Sequence, residues 1–177
     1  MINSSAASPF VLLVNEQDEI LGTAEKLAVH QTGDLHRAFS VLVFNEQGEF
    51  LLQQRADGKY HSGGLWSNTC CGHPTEPGNT ATQAEQRLFE EMGFRTPLEP
   101  LLQFQYRAEL PNGLIEHELD HVFVGQYAGD VPFNPEEVQA IRWISPDLLA
   151  AEMANKPEAF TAWFRMLVPQ LQGTTLP

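Results

Sequence analysis

Thr80-Ala81-Thr82-Gln83-Ala84-Glu85-Gln86-Arg87-Leu88-Phe89-Glu90-Glu91-Met92-Gly93 is the stretch from which the rest of the chain is read. Ala81, Ala84 and Leu88 recur at helical spacing and form an apolar stripe among polar residues. Thr80 followed by Gln83 matches a capping box, and Gly93 stands where a left-handed C-terminal cap belongs. The pattern predicts a helix over 80–92. Near its end, Glu90-Glu91-Met92-Gly93 follows Arg87, which lies one turn before Glu91. Such a pair is an ordinary surface ion pair worth about 0.3 kcal/mol. The same residues would also suit Mg²⁺ beside a diphosphate, with Glu91 on the cation and Arg87 on the phosphate oxygens.

Strands surround this helix. Residues 10–15 read as a strand, followed by an acidic turn and a polar stretch to Asp34. Residues 36–44, the turn Asn45-Glu46-Gln47-Gly48 and residues 49–55 read as a hairpin. The 57–79 segment, rich in Gly, His, Ser and Asn, reads as ordered loop and short strand, and long ordered loops tend to carry function. Beyond the helix, 101–108 and 114–127 are β-like and joined by Pro111-Asn112-Gly113, with a further short strand at 140–144. Ser145-Pro146 opens a helix, Ser as cap and Pro in the first turn. A last amphipathic helix is expected after Pro157, with Phe160, Trp163, Phe164 and Leu167 on one side. Strands interleaved with one central and two terminal helices predict an α+β fold, a mixed sheet flanked by helices. We expect a loose tail over 1–9 and a single domain over 10–177.

The chain has 177 residues, and 10 basic against 23 acidic ones leave a formal net charge of −13. That deficit excludes a cationic surface for nucleic acid or anionic membrane, though not a pocket for one small anion. No apolar run approaches the ~18 residues that span a bilayer, and no basic-then-apolar leader opens the chain. The cysteines, Cys70 and Cys71, are adjacent and poorly placed to pair, so a reducing cytoplasm is the expected compartment. Composition leaves monomer and homodimer equally open.

Three further clusters could carry chemistry. In Asn68-Thr69-Cys70-Cys71-Gly72-His73-Pro74, Cys71 and His73 could form a nucleophile, metal-ligand or acid/base pair, or be a buried thiol and a turn histidine. His117-Glu118-Leu119-Asp120-His121 matches the H-E-x-x-H string of zinc peptidases, whose chemistry requires a helix. Its flanks, Pro111-Asn112-Gly113 before and Val122, Phe123, Val124 and Tyr127 after, are those of a strand. On a strand Glu116 and Glu118 share one face and His117 takes the other, so the paired carboxylates are either metal or acid/base groups or a solvated acidic edge. His30 and His36 flank a Gly/Asp turn. With His73, Glu116 and Glu118 they offer three imidazoles and two carboxylates, a set suited to Zn²⁺ or Mn²⁺.

Asn68–Pro74 as a segment, the Glu-Glu-Met-Gly helix end, Glu116-His117-Glu118-Leu119-Asp120, His36-Arg37-Ala38-Phe39-Ser40 and Tyr106-Arg107-Ala108 together resemble type 1 isopentenyl-diphosphate delta-isomerase. That family is metal-dependent and built on a Nudix-like fold, and the resemblance runs from about Phe10 to Trp163. It implies a Nudix-like mixed β-sheet sandwiched by helices. It further implies interconversion of isopentenyl and dimethylallyl diphosphate, a C5 isoprenoid diphosphate substrate class. Cys71 and Glu118 match the family's catalytic pair on opposite faces of the allylic unit, with Tyr106 working beside the glutamate. His30, His36, His73, Glu116 and Glu118 match the ligands of a protein-bound Mn²⁺, Zn²⁺ or Mg²⁺. Glu91 matches the residue for a second ion, Mg²⁺, that bridges to the diphosphate. Lys26, Arg55, Lys59 and Arg87 match the cations around that group, and Trp163 an aromatic face for the carbocation.

The chain departs from the family of Nudix hydrolases where their box would place Arg-Glu, here Gln86 and Arg87, and a Glu, here Gly78. Losing those acids disfavours multi-metal diphosphate hydrolysis, the main rival activity. A non-catalytic metal-binding domain is the other alternative, and a zinc peptidase a distant one. Cys70 reads as a packed bystander.

Overall fold

The computed structural model describes residues 9–59 and 61–177, so all of the expected tail but Pro9 lies outside the described residues. Strand β3 (His36–Phe44) is buried along all nine of its residues, the mark of a central strand covered on both faces. One edge pairs in parallel with β8 (Ile115–Gln126), from His36 opposite Glu118 to Phe44 opposite Gln126. The other edge meets three strands in turn: β1 (Phe10–Val14) at His36, β6 (Cys70–Gly72) along 39–41, and β4 (Phe50–Arg55) at Phe44. β7 (Glu99–Glu109) lies antiparallel to β8, β2 (Ile20–Glu25) to β1, and both β5 (Trp66–Ser67) and β9 (Val138–Ile144) to β4. Among the described residues, one parallel strand pairing among antiparallel ones makes the nine-stranded sheet mixed, as expected.

Helices cover both faces. α2 (Thr80–Met92) buries Ala84, Leu88 and Met92 against Phe39, Val41, Leu51 and Phe123. On the other face, α3 (Pro146–Asn155) and α4 (Ala162–Gln170) bury Leu149, Phe164 and Leu167 against Leu42, Phe44, Leu52 and Val122. Each fully buried leucine, methionine or phenylalanine among these is worth about 1.5–3 kcal/mol, so these layers hold the sheet between them. No helix of the described residues is long and apolar enough to cross a membrane.

Four local expectations change. The polar stretch to Asp34 contains β2 and the short helix α1 (Lys26–Thr32). β2 buries no residue, and α1 buries only Val29 and His30 and has no side-chain cap, so neither leaves an apolar period to read. The hairpin splits open: β3 and β4 are paired only at Phe44 and Phe50, because β4 turns away to β9. The cap of α2 is Asn79, whose side chain accepts from Thr82 N, while Gln83 instead accepts from Thr75 N at 2.8 Å. Finally, α4 starts at Ala162 behind a Thr161 cap, and Phe160 precedes it.

The splayed strands require compensation, because buried backbone groups left unpaired are costly. Thr69 supplies it. Its hydroxyl accepts from Val43 N at 2.9 Å and donates to Leu51 O at 2.7 Å, and its carbonyl accepts from Gln53 Nε2 at 2.8 Å. The gap between β3 and β4 is thereby held open and occupied by the segment that leads into Cys71.

Candidate active site

Sheet register brings the chemistry together. His36 lies beside Glu118 across the β3–β8 pairing, and Tyr106 lies beside Glu118 across the β7–β8 pairing. On β8 the two-residue period puts Glu116 and Glu118 on one buried face. Cys71 is carried opposite Ser40 on β3, and His73 follows it back toward His36. H-E-x-x-H is thus strand, as its flanks predicted, and His117 turns away to the Gly33 carbonyl, 3.0 Å from its Nδ1. A zinc-peptidase arrangement is excluded.

A cavity of about 560 Å³ opens over these strands. Cys71, His73, Glu91, Tyr106, Glu116, Glu118 and Trp163 line it, as do all four expected cations, Lys26, Arg55, Lys59 and Arg87. His30 and His36 sit fully buried beneath. Every candidate residue therefore converges on one place. Cys70, by contrast, packs with Leu88 and Met92 in the core under α2.

Among the described residues, two overlapping groups have donor atoms close enough to hold a metal ion: His30, His36, His73 and Glu118, and His30, His61 and Glu116. The donor chemistry fits a divalent ion. His30 Nδ1 is 2.6 Å from the Lys26 carbonyl and His36 Nδ1 is 3.0 Å from the Asp34 carbonyl, so both rings present Nε2 to the carboxylates. Carbonyl partners of this kind orient metal-binding imidazoles. Glu118 Oε1 lies 3.1 Å from His73 Nε2 and 3.5 Å from His36 Nε2, and Glu116 Oε1 lies 3.9 Å from His30 Nε2. Glu91 belongs to neither group. Its oxygens are taken by Arg87 at 2.9 Å and Gln53 at 2.8 Å.

The two carboxylates are driven apart. Burial and the charge of Glu118 push Glu116 well above the usual range. Burial also works against Glu118, but hydrogen bonds from His36 and His73 outweigh it and hold that carboxyl well below its ordinary value. The Tyr106 hydroxyl, raised by burial and by both glutamates, remains a donor. Cys71 is likewise raised by burial and the nearby Asp120, and Asn68 Oδ1 accepts its proton at 3.1 Å. These shifts favour a protonated thiol at Cys71 and an ionised carboxylate at Glu118, both in the lining of the cavity.

The cationic rim is crowded. Burial and neighbouring Arg55 lower Lys26, and burial takes Lys59 down to about 8 although Glu91 opposes it. Like charges held together in a cleft favour a ligand that brings several negative charges. Glu137, which sequence reasoning missed, pairs with Lys59 and with Arg87. His61 was missed too, and no spacing signal marks it. Its ring meets Trp163 edge-on with centroids 5.7 Å apart, and burial with Arg55 pushes its pKa down to about 3, a neutral imidazole. Trp163 donates Nε1–H to Ser67 Oγ at 2.9 Å, which sets the plane of its ring.

The NUDIX domain family matches residues 34–164. The chain is 51% identical over 157 residues to the isopentenyl-diphosphate Delta-isomerase of Pectobacterium atrosepticum, a match covering 88% of this chain and 87% of that protein. It is 53% identical over 162 residues to the protein of the same name from Photobacterium profundum, covering 87% and 89%. A solved structure from Deinococcus radiodurans superposes with TM-score 0.75 at 20% identity, covering 92% of this chain and 99% of that one. The MutT protein of Methanosarcina mazei gives 0.63 at 20%, covering 77% and 91%. Likeness at that identity shows the fold.

Proposed function

We propose, since this chain belongs to the isopentenyl-diphosphate delta-isomerases of the NUDIX domain family, that its cavity interconverts isopentenyl and dimethylallyl diphosphate, a step of isoprenoid biosynthesis, by adding one proton and removing another. The observation that carries the residue assignments is the meeting of Cys71, Tyr106 and Glu118 in one cavity rimmed by Lys26, Arg55, Lys59 and Arg87.

Moving a double bond by one position needs an acid at one carbon and a base at another. A protonated Cys71 and an ionised Glu118 share one proton between them, the correct number for that exchange. The reverse reaction starts from the opposite allocation. Tyr106 donates its hydroxyl proton to Glu118 Oε2 at 2.8 Å, holding that oxygen in place. Protonating an unactivated alkene leaves a tertiary cation that water would capture, so the cavity must close on its substrate. The Trp163 face then lowers the energy of that cation; it already accepts the Arg55 guanidinium at 5.1 Å. Lys26, Arg55, Lys59 and Arg87 hold the diphosphate.

His30, His36, His73, Glu116 and Glu118 would hold a divalent ion, Mn²⁺, Zn²⁺ or Mg²⁺, whose charge would fix both carboxylates and set which Glu118 oxygen is free for a proton. Glu91, released from Arg87 as the arginine engages phosphate, would hold a Mg²⁺ ion at the diphosphate. The hydrolase alternative loses ground because Arg87 and Gly78 stand where the hydrolytic box needs glutamates.

Incubation with isopentenyl diphosphate in D₂O, followed by NMR, tests the reading. Dimethylallyl diphosphate carrying deuterium is the expected product. Release of inorganic phosphate or diphosphate without isomer would overturn it.

A further inference from the structure

We infer that His61 is a ligand of the resident metal ion, so that the centre draws on four imidazoles rather than the three of the family's ligand set. The inference rests on the metal reading of the His/Glu group and extends it to a residue of the loop before β5.

Three observations carry it. His61 joins His30 and Glu116 in a group whose donor atoms lie within 4.8 Å of one another. His61 Nε2 is 3.7 Å from Glu116 Oε1, the same oxygen that faces His30 Nε2 at 3.9 Å. Its other nitrogen, Nδ1, is 3.1 Å from Ser62 Oγ, so the ring is oriented as His30 and His36 are, with Nδ1 on a local oxygen and Nε2 toward the carboxylates. The two glutamates are used symmetrically. Glu118 turns one oxygen to His36 and His73 and the other to Tyr106; Glu116 turns one to His30 and His61 and the other to Tyr106.

The backbone is built to hold this imidazole. Arg55 Nη2 donates to the His61 carbonyl at 3.2 Å, while Arg55 N donates to Leu65 O and Gly64 N donates to Arg55 O, each at 2.9 Å. The loop is thus clipped to the end of β4, and His61 is buried against Trp163. Nitrogen donors favour the later first-row ions, whereas Mg²⁺ prefers oxygen and water. A fourth imidazole therefore moves the centre toward Zn²⁺ or Co²⁺ and away from Mg²⁺.

The test measures Zn²⁺ affinity by competition with a chromophoric chelator, and the visible spectrum of the Co²⁺-loaded protein. Wild type, His61→Ala, His61→Gln and His36→Ala are compared, and apo-state melting confirms that each is folded. Loss of His61 is expected to weaken Zn²⁺ binding at least about tenfold, the range produced by losing even an outer-shell partner, and to change the Co²⁺ spectrum. Weaker binding with an unchanged spectrum would make His61 a structural neighbour and overturn the inference. Unchanged binding in the His61 variants with loss in His36→Ala would overturn it while leaving the metal centre intact. Unchanged binding in all three would overturn the metal reading as well.

Discussion

The Tyr106 hydroxyl donates to Glu118 Oε2 at 2.8 Å and lies 3.1 Å from Glu116 Oε2, so one buried phenol spans both carboxylates. Its single proton sets the orientation of the group proposed to exchange protons with substrate. Tyr106→Phe keeps the packing ring and removes only that link. We expect turnover to fall roughly 10²-fold with KM changed little, a split that steady-state kinetics reads directly.

Cys71 and Glu118 are each indispensable in a two-group proton exchange. Cys71→Ala and Glu118→Gln should each reduce isomerisation by about 10³-fold or more, with circular dichroism and melting showing a folded chain. Near-native turnover in either variant would sink the mechanism.

The His/Glu group should make stability depend on metal. A ligand at 100 times its dissociation constant adds about 2.7 kcal/mol, so chelation should lower the melting temperature as it removes activity. Refilling the chelated protein separately with Zn²⁺, Mn²⁺ and Mg²⁺, with both quantities followed, ranks the ions. A melting temperature indifferent to chelator and to every ion would count against a resident metal.

His121, away from the cavity, should leave a mark on acid stability. Burial lowers its pKa from the ordinary 6.5, with Asp18 opposing at 2.8 Å. Below pH 6.5 the unfolded chain binds a proton that the folded chain refuses. Stability contributed by this site is therefore intact above 6.5 and lost as pH falls toward the folded value. His121→Gln should flatten the fall of melting temperature between about pH 7 and 5 relative to wild type. Parallel curves for the two proteins would contradict the assignment.

Gly93 ends α2 at φ +78°, its N–H donating to Phe89 O at 2.9 Å. A Cβ there would also run into the Pro132 carbonyl oxygen. Gly93→Ala should cost roughly 2 kcal/mol or more, from left-handed strain plus the clash, measured by urea unfolding. Gly48, also left-handed but with open space around it, should tolerate alanine at the cost of strain alone, about 1 kcal/mol.

Part of this protein is written in short-range signals. Gly93, the 80–92 period and Ser145-Pro146 each act within one or two turns, so the limits of α2 and the start of α3 follow from the local chain. The strand character of 115–126 could be read against the H-E-x-x-H string for the same reason, from its turn and its β-branched exit. The candidate residues were another matter. Spacing left Cys71, His73 and the paired glutamates open to several chemistries, and the family resemblance rather than the spacing selected among them.

Tertiary structure alone decided how distant strands meet. Nothing near His36 dictates that it lies beside Glu118, or that β4 leaves β3 after Phe44 and lets Thr69 bridge the gap. Those pairings exist because they bury both faces of β3 while satisfying its backbone, a condition evaluated over the whole sheet. α1 was illegible because its short, mostly exposed turns are held by position, not by an apolar period, yet it delivers His30. His61 was illegible for a related reason. Its place beside Glu116 depends on an irregular loop clipped to Arg55 and on a carboxylate from β8, far from it in the chain. The acidic balance of −13 belongs to the whole chain, while one cavity gathers four of the 10 basic residues beside the glutamates that line it, because folding sorts charge by place and composition does not.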